Sequence, residues 1–166
     1  MKPYRRVPIQ ECGEALVAIP LDLFAVETPH PYIKCGADYD GKSPYYLRQR
    51  VLDRLIQAQD RLQQLHPGWQ IQIFDAYRPV EVQEYMVNYT FNQTAIGRKL
   101  DLTKLTNPEI SEIWQEVYKI WAIPSFDLET PPPHSTGAAI DITIVDEQSN
   151  PLNMGSPIDD MSDRSL

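Results

Sequence analysis

Apolar residues recur at intervals of three and four between Tyr45 and Leu65, which is the period of an amphipathic helix. The repeating positions are Leu47, Val51, Leu55, Ala58, Leu62 and Leu65. Pro67 and Gly68 follow directly, and both residues end helices. The pattern therefore predicts one long helix over residues 45–65.

Alternating apolar and polar residues predict two strands. Residues 69–74 alternate up to the turn-like segment 75–79, which reads Asp-Ala-Tyr-Arg-Pro. Residues 138–145 alternate as well, with three isoleucines on one face and Asp141 and Thr143 on the other. The first predicted strand is therefore followed by Asp75, and the second carries Asp141 on its polar face.

Shorter signals complete the predicted fold. Residues 16–19 are apolar and predict a strand within a loop-rich, proline-rich lead-in over residues 1–45. Residues 80–91 predict a helix, and Pro108 suits the first turn of another helix that begins at Asn107 and runs through Tyr118. We expect a single α+β domain over residues 1–166, with a small, mainly antiparallel sheet and helices packed on one face.

Composition narrows the function classes. The chain has 166 residues and a net charge of -8, whereas binding to a nucleic-acid backbone needs clustered Lys and Arg. No run reaches the ~20 apolar residues of a bilayer span, and the amino terminus shows no signal-peptide pattern. Cys12 and Cys35 are too few for a disulfide framework. We expect a cytoplasmic protein without nucleic-acid or membrane partners, and the sequence leaves its oligomeric state open.

The segment His134-Ser-Thr-Gly-Ala-Ala-Ile-Asp141 carries the strongest chemical signal. A stiff run of three prolines leads into His134, and Gly137 permits a positive φ or a close backbone approach. Asp141 lies on the polar side of the predicted strand, where a buried carboxylate needs a partner. A metal ion would supply that partner, with His134 and Asp141 as two of its ligands.

Three motifs in order resemble the zinc D-alanyl-D-alanine dipeptidases, relatives of the D,D-carboxypeptidases and of the Hedgehog signalling domain. The first is Asp75-Ala-Tyr-Arg78-Pro, and the second is His134-x-x-Gly-x-Ala-x-Asp141. The third is Met154-Gly-Ser-Pro-Ile-Asp159, with Ser-Asp-Arg-Ser following at 162–165. The resemblance covers nearly the whole chain and implies a Hedgehog/D,D-peptidase-like fold.

The resemblance also implies residue roles. His134 and Asp141 would bind one Zn²⁺ per chain, and Arg78 would stabilise the developing oxyanion. Arginine suits that role because its guanidinium is permanently charged and has fixed donors. Asp159 would pair with the substrate's free ammonium group, although its neighbour Asp160 could do so instead. Tyr32 is expected near the substrate amine.

The chain departs from the family pattern at two places. Pro132 stands where the family commonly has a serine two residues before the metal-binding histidine. The family also places a Glu-x-x-His segment a few dozen residues after the Asp159 region, and the sequence reaches Leu166 without one. We therefore expect the general base and the third metal ligand to be absent from this chain.

Other residues could in principle replace them. His30 lies between two prolines, His66 lies at a predicted helix end, and Glu129 lies close to His134 in sequence. None has a spacing that requires such a role. Two interpretations remain, a truncated active enzyme or a natural variant without hydrolytic apparatus. Retention of Arg78 with the other three site residues favours truncation.

The sequence thus predicts zinc-dependent hydrolysis of the D-Ala-D-Ala dipeptide, a reaction of cell-wall peptide metabolism. One alternative is a D,D- or L,D-carboxypeptidase that acts on peptidoglycan stem peptides with the same metal site. Another alternative is a non-catalytic module that binds zinc or peptide. Stereochemistry and length of the substrate do not follow from composition or spacing.

Overall fold

A computed structural model describes residues 7 and 9–156 of the chain. The elements in chain order are β1 (Leu16–Ala18), β2 (Ala25–Val26), α1 (Pro31–Lys34), β3 (Tyr46–Arg48), α2 (Gln49–Leu65), β4 (Gln70–Asp75), α3 (Val80–Gly97), α4 (Asn107–Ile120), a 3-10 turn (Pro133–Thr136) and β5 (Asp141–Val145). This mixture of small sheets and separate helices confirms the predicted α+β class. No helix in these residues is long and apolar enough to cross a membrane.

The strands form two small sheets. β1 and β3 pair antiparallel, while β4 lies between β2 and β5 in a sheet of three strands. β2 pairs parallel with β4, and β5 pairs antiparallel with it. The alternation of residues 70–75 is confirmed, since Ile71 and Ile73 are buried on the face that packs against α2.

A bulge at the end of β4 sets up the functional site. Ile73 pairs with Ile142, but the next paired position joins Asp75 to Asp141. Between these two pairs, β4 advances by two residues while β5 advances by one. The extra residue in β4 is a β-bulge. An uninterrupted register would have paired Asp75 with residue 140. The bulge instead sets two carboxylate residues opposite each other.

The predicted helix over residues 45–65 is wrong at its start. Residues 46–48 form β3, and α2 begins only at Gln49. Leu47 is fully buried opposite Val17 of β1, and the Arg48 backbone N–H donates to the Gly137 carbonyl at 2.8 Å. Leu47 continues the helical spacing by chance, because strand and helix patterns coincide over so few residues.

The other helices follow the prediction with shifted ends. α3 extends to Gly97 rather than residue 91. α4 begins at Asn107 as predicted, and Thr106 and Glu109 cap it reciprocally. The strand predicted from residue 138 starts only at Asp141, because the preceding residues leave the 3-10 turn through Gly137. Helices α1, α3 and α4 enclose a second core, against which Phe74 of β4 also packs.

Gly137 fixes the approach of the 3-10 turn to the sheet. It has φ of 72°, and a Cβ atom there would lie 2.2 Å from Leu16 Cδ2. The sequence-based expectation of a positive φ or a close approach is confirmed on both counts. Any other residue here would carry left-handed backbone strain and would require the Leu16 side chain to shift.

Gly137→Ala should destabilise the fold by about 1–3 kcal/mol, since the residue would carry left-handed strain as well as the overlap with Leu16. Gly97→Ala is the matched control, because no atom lies within 4 Å of its ideal Cβ. Urea unfolding of both variants measures the difference. Equal free energies of unfolding for the two variants would contradict this account of Gly137.

Candidate metal centre

The candidate site lies where β4 ends and β5 begins. Asp75 closes β4, Asp141 opens β5, and the 3-10 turn brings His134 between them. Two backbone and side-chain contacts tie this turn to the end of β4. The Arg78 N–H donates to the His134 carbonyl at 3.3 Å, and the Ser135 hydroxyl donates to the Arg78 carbonyl at 2.7 Å.

The His134 ring is oriented for metal binding through Nε2. Its Nδ1 lies 2.9 Å from the Ala76 carbonyl oxygen and 3.1 Å from Asp75 Oδ2, so Nδ1 carries the proton and donates. The lone pair is then on Nε2, which lies 3.4 Å from Asp141 Oδ2. A backbone carbonyl that fixes the tautomer in this way is typical behind metal-binding histidines.

The spacing of these two atoms fits a metal ion. Two ligands on a tetrahedral zinc ion with ordinary bond lengths lie about 3.3 Å apart. His134 Nε2 and Asp141 Oδ2 match that spacing, and the Asp141 side chain is 41% exposed, so it remains open to an ion and to substrate. An imidazole nitrogen with a carboxylate oxygen is also a donor set that zinc accepts.

Asp75 comes within metal-site distance of the same pair but does not act as a ligand. Ligand atoms of Asp75, His134 and Asp141 all lie within 4.8 Å of one another. However, Asp75 approaches His134 at Nδ1, whereas Asp141 approaches it at Nε2. The two nitrogens of one imidazole point in different directions and cannot both bind the same ion. Asp75 therefore contacts the side of the ring that faces away from the metal position.

Opposing effects set the pKa of His134. Burial lowers it, but the hydrogen bond to Asp141 and the charge of Asp75 outweigh burial and raise the pKa above its ordinary value. Without a metal, the ring therefore binds a proton more readily than a free histidine does. A cation between His134 and Asp141 would take the place of that proton.

Arg78 lies beside the metal-binding pair with its whole side chain ordered. Its Nε and Nη2 donate to Asp75 Oδ2 at 3.0 and 2.5 Å, and its Nη1 donates to Gln83 Oε1 at 2.6 Å. Nη2 lies 3.9 Å from Asp141 Oδ2. The positive charge of the guanidinium thus lies next to the metal-binding carboxylate.

The charge of Arg78 is secure despite burial. Burial lowers the pKa of the guanidinium, but the charge of Asp75 outweighs it and the pKa is raised. The guanidinium carbon also lies 4.9 Å from the Tyr32 ring centroid and 4.8 Å from that of Trp121. Aromatic faces attract a cation at this distance. Arg78 therefore carries its positive charge at neutral pH.

Asp75 is the central residue of the polar network, although sequence patterns assigned it no separate role. It is fully buried. Burial raises the pKa of its carboxyl, but His30, Arg78 and His134 together lower it below the ordinary value. A buried carboxylate between three donors holds both the Arg78 fork and the His134 ring in place.

The remaining sequence-predicted residues divide into three groups. Tyr32 is buried, and its hydroxyl accepts from Arg78 Nη2 at 3.0 Å, so the structure places it against the guanidinium. Asp159 and Asp160 lie outside the described residues. Pro132, where the family commonly has serine, is fully buried beneath the turn.

The three residues weighed as substitutes do not join the metal-binding pair. His30 points Nε2 at Asp75 Oδ1 at 3.5 Å, and the His66 ring stacks on Trp69 at the end of α2. Glu129 is exposed and lines a cavity beside Ser135 and Thr136. Among residues 9–156, the only groups placed for a metal are those around His134.

Gln83 and Trp121 are site residues that sequence patterns did not reveal. Gln83 accepts from Arg78 and donates to the Ala122 carbonyl at 2.7 Å, which links the guanidinium to the end of α4. Trp121 forms one aromatic face beside Arg78. Gln83 is one of several polar residues in α3, so its polarity gave no signal of a partner in the site.

A cleft lies along β4 and β5. It has a volume of about 460 Å³ and is lined by Phe74, Ile142, Thr143 and Met154, among others. Ile142 follows Asp141 in sequence, but Asp141, His134 and Arg78 are not among the lining residues of this largely apolar cleft. Its size suits a small ligand.

Comparison with known proteins gives a consistent result. A family model described as D-Ala-D-Ala dipeptidase, a peptidase family, matches residues 25–166. The chain belongs to the D-Ala-D-Ala dipeptidase family. A protein of Synechocystis sp. named D-alanyl-D-alanine dipeptidase is 49% identical over 166 residues, which are 100% of this chain and 67% of that protein. No solved structure matches the chain.

Family membership confirms the resemblance drawn from the three motifs. It makes the protein a peptidase of a metal-dependent family, in agreement with the donor pair at His134 and Asp141. The matched range includes β4, the 3-10 turn and β5, which together build the site.

Proposed function

We propose that this protein is a zinc-dependent dipeptidase that hydrolyses the free D-Ala-D-Ala dipeptide. The observation that carries the proposal is the arrangement at the sheet edge, where His134 Nε2 lies 3.4 Å from Asp141 Oδ2 and Arg78 Nη2 lies 3.9 Å from the same oxygen. The family and the Synechocystis relative, which is named for this reaction, support the assignment of substrate.

His134 and Asp141 would hold the metal. When bound, zinc supplies Lewis-acid chemistry, because it polarises a carbonyl oxygen and makes a water molecule more acidic. The Ala76 carbonyl keeps the His134 proton on Nδ1, so Nε2 remains available as a ligand. Asp141 contributes the anionic oxygen and lowers the net charge of the site.

Arg78 would stabilise the oxygen that gains negative charge as the scissile carbonyl is attacked. Its guanidinium is held by Asp75 and Gln83 before substrate arrives, so no reorganisation is needed during the reaction. A preorganised donor of this kind strengthens its interaction mainly in the transition state. Arg78 would therefore act on rate more than on substrate affinity.

Asp159 would bind the free ammonium group of the dipeptide. A carboxylate that pairs with an amine explains why an enzyme of this kind would act on short, unblocked substrates. The cytoplasmic location expected from the sequence stays a prediction, which cell fractionation would test.

The experiment compares free D-Ala-D-Ala with its amino-acetylated form, using zinc-loaded protein expressed from the complete gene. Release of D-alanine is measured. We expect hydrolysis of the free dipeptide and a loss of at least about tenfold in kcat/KM for the blocked one, because a charge-assisted contact is missing. Asp159→Asn should reduce hydrolysis of the free dipeptide to a similar degree.

Other outcomes would favour the alternatives. Equal hydrolysis of free and blocked substrates would overturn the dipeptidase assignment and favour a carboxypeptidase acting on longer stem peptides. Zinc uptake without hydrolysis of either substrate would overturn the enzymatic proposal and favour a binding module.

A further inference from the structure

His30 lies behind the metal centre and has two distinct polar contacts. It is buried, and its Nδ1 accepts a hydrogen bond from the Tyr32 backbone N–H at 3.2 Å. Because Nδ1 accepts, the proton of the neutral ring is on Nε2. That N–H faces Asp75 Oδ1 at 3.5 Å.

Asp75 uses its two oxygens differently. Oδ2 accepts hydrogen bonds from Arg78 Nε and Nη2, and His134 Nδ1 lies 3.1 Å from it. Oδ1 is buried and has no hydrogen bond of ordinary geometry in the part of the chain that is described, and the same holds for His30 Nε2. His30 Nε2 and Asp75 Oδ1 are thus two buried polar atoms that face each other at the outer limit of hydrogen-bond distance.

Aromatic packing holds the His30 ring in this orientation. The ring meets Tyr32, Tyr39 and Tyr45 edge-on, with centroid distances of 5.2, 5.8 and 5.5 Å. Three such contacts leave little room for rotation about χ2. The ring therefore keeps its Nε2–H directed at Asp75.

We propose that His30 is a positioning residue for the peptidase reaction, whose Nε2–H fixes the Asp75 carboxylate and thereby the Arg78 guanidinium and the His134 ring. The inference rests on the proposed function for its effect on rate. A partial rotation of the Asp75 carboxylate would move Oδ2 away from Arg78 Nε and Nη2 and lengthen both hydrogen bonds. A donor on Oδ1 opposes that rotation.

A purely structural alternative exists, because His30 Nδ1 also caps the short helix α1. Two variants separate the contacts. His30→Asn keeps a side-chain acceptor at the cap position but does not reach Asp75. His30→Gln extends an amide N–H to about the place of the imidazole Nε2–H.

The first measurement is steady-state kinetics of zinc-loaded protein from the complete gene. We expect His30→Asn to lower kcat by about 10–100-fold, the usual cost of losing a residue that orients site groups, with KM changed by less than about threefold. His30→Gln should restore kcat to within about threefold of the wild type. Equal kcat in both variants, or a larger loss in His30→Gln, would overturn the proposal.

The second measurement does not depend on catalysis. Hydrogen exchange of the Arg78 Nε–H, followed by NMR in the metal-free protein, reports whether the guanidinium is held. We expect faster exchange in His30→Asn than in wild type or His30→Gln. Equal exchange in all three proteins would overturn the positioning role. An inactive wild type with this exchange pattern would count against the proposed function and not against His30.

Discussion

Arg78→Ala should lower kcat by about 10²–10³-fold while zinc binding is retained. The expected loss is that of one preorganised donor to a developing oxyanion. The Arg78 side chain approaches the metal-binding pair only at 3.9 Å from Asp141, so its removal leaves His134 Nε2 and Asp141 Oδ2 available. The variant should also be less stable, because buried Asp75 loses its counter-charge, so zinc binding and kinetics are measured where the protein is folded. Because the interaction is made mainly in the transition state, kcat and kcat/KM should fall by similar factors.

Three variants make this test specific. His134→Ala should abolish tight zinc binding as well as activity, since it removes a ligand. Arg54→Ala, an exposed arginine on α2, should leave both unchanged. Calorimetric zinc titration alongside kinetics separates the cases. Equal loss of zinc binding in the Arg78 and His134 variants would contradict the role given to Arg78.

Asp75→Asn should destabilise the protein by about 3–5 kcal/mol. Removal of one partner leaves the buried Arg78 guanidinium without its counter-charge, and a buried pair broken in this way costs about that much. Asp75 is fully buried and the Arg78 side chain is 6% exposed, so water cannot replace the lost interaction. Urea unfolding at neutral pH measures the free energy.

The pH dependence of Asp75→Asn provides a second check. The folded-state pKa of Asp75 lies below the unfolded reference of 3.8. Its stabilising contribution is therefore present above pH 3.8 and is lost as pH falls further through the folded pKa. The difference between wild type and variant should shrink below about pH 4. Asp60→Asn, an exposed change on α2, should alter stability by less than about 0.5 kcal/mol at neutral pH; a loss as large as that of Asp75→Asn would contradict this account.

The periodicity of apolar residues predicted the helices and strands that bury one face against a core. β4 and α4 are confirmed because each alternates or repeats against a single core. The start of α2 was wrong because residues 46–48 gain more from pairing with β1 than from extending a helix. Pairing between strands that are distant in sequence cannot be recognised from the local pattern of apolar residues.

The sequence was enough to propose the main site residues, but not the contacts that hold them in place. The resemblance to the family implies His134, Asp141 and Arg78 as site residues, and the structure brings all three together. The bulge that sets Asp75 opposite Asp141 depends on how two distant strands meet. The contact from His30 to Asp75 likewise joins residues far apart in sequence, and a proline-flanked histidine does not indicate its partner.

The central claim is that a metal at His134 and Asp141 drives hydrolysis of D-Ala-D-Ala. The most direct measurement is D-alanine release by protein from the complete gene, before chelation, after chelation and after addition of one equivalent of zinc. The account predicts activity that disappears with the metal and returns with zinc, for the wild type and not for His134→Ala. Undiminished hydrolysis by the metal-free protein would contradict it.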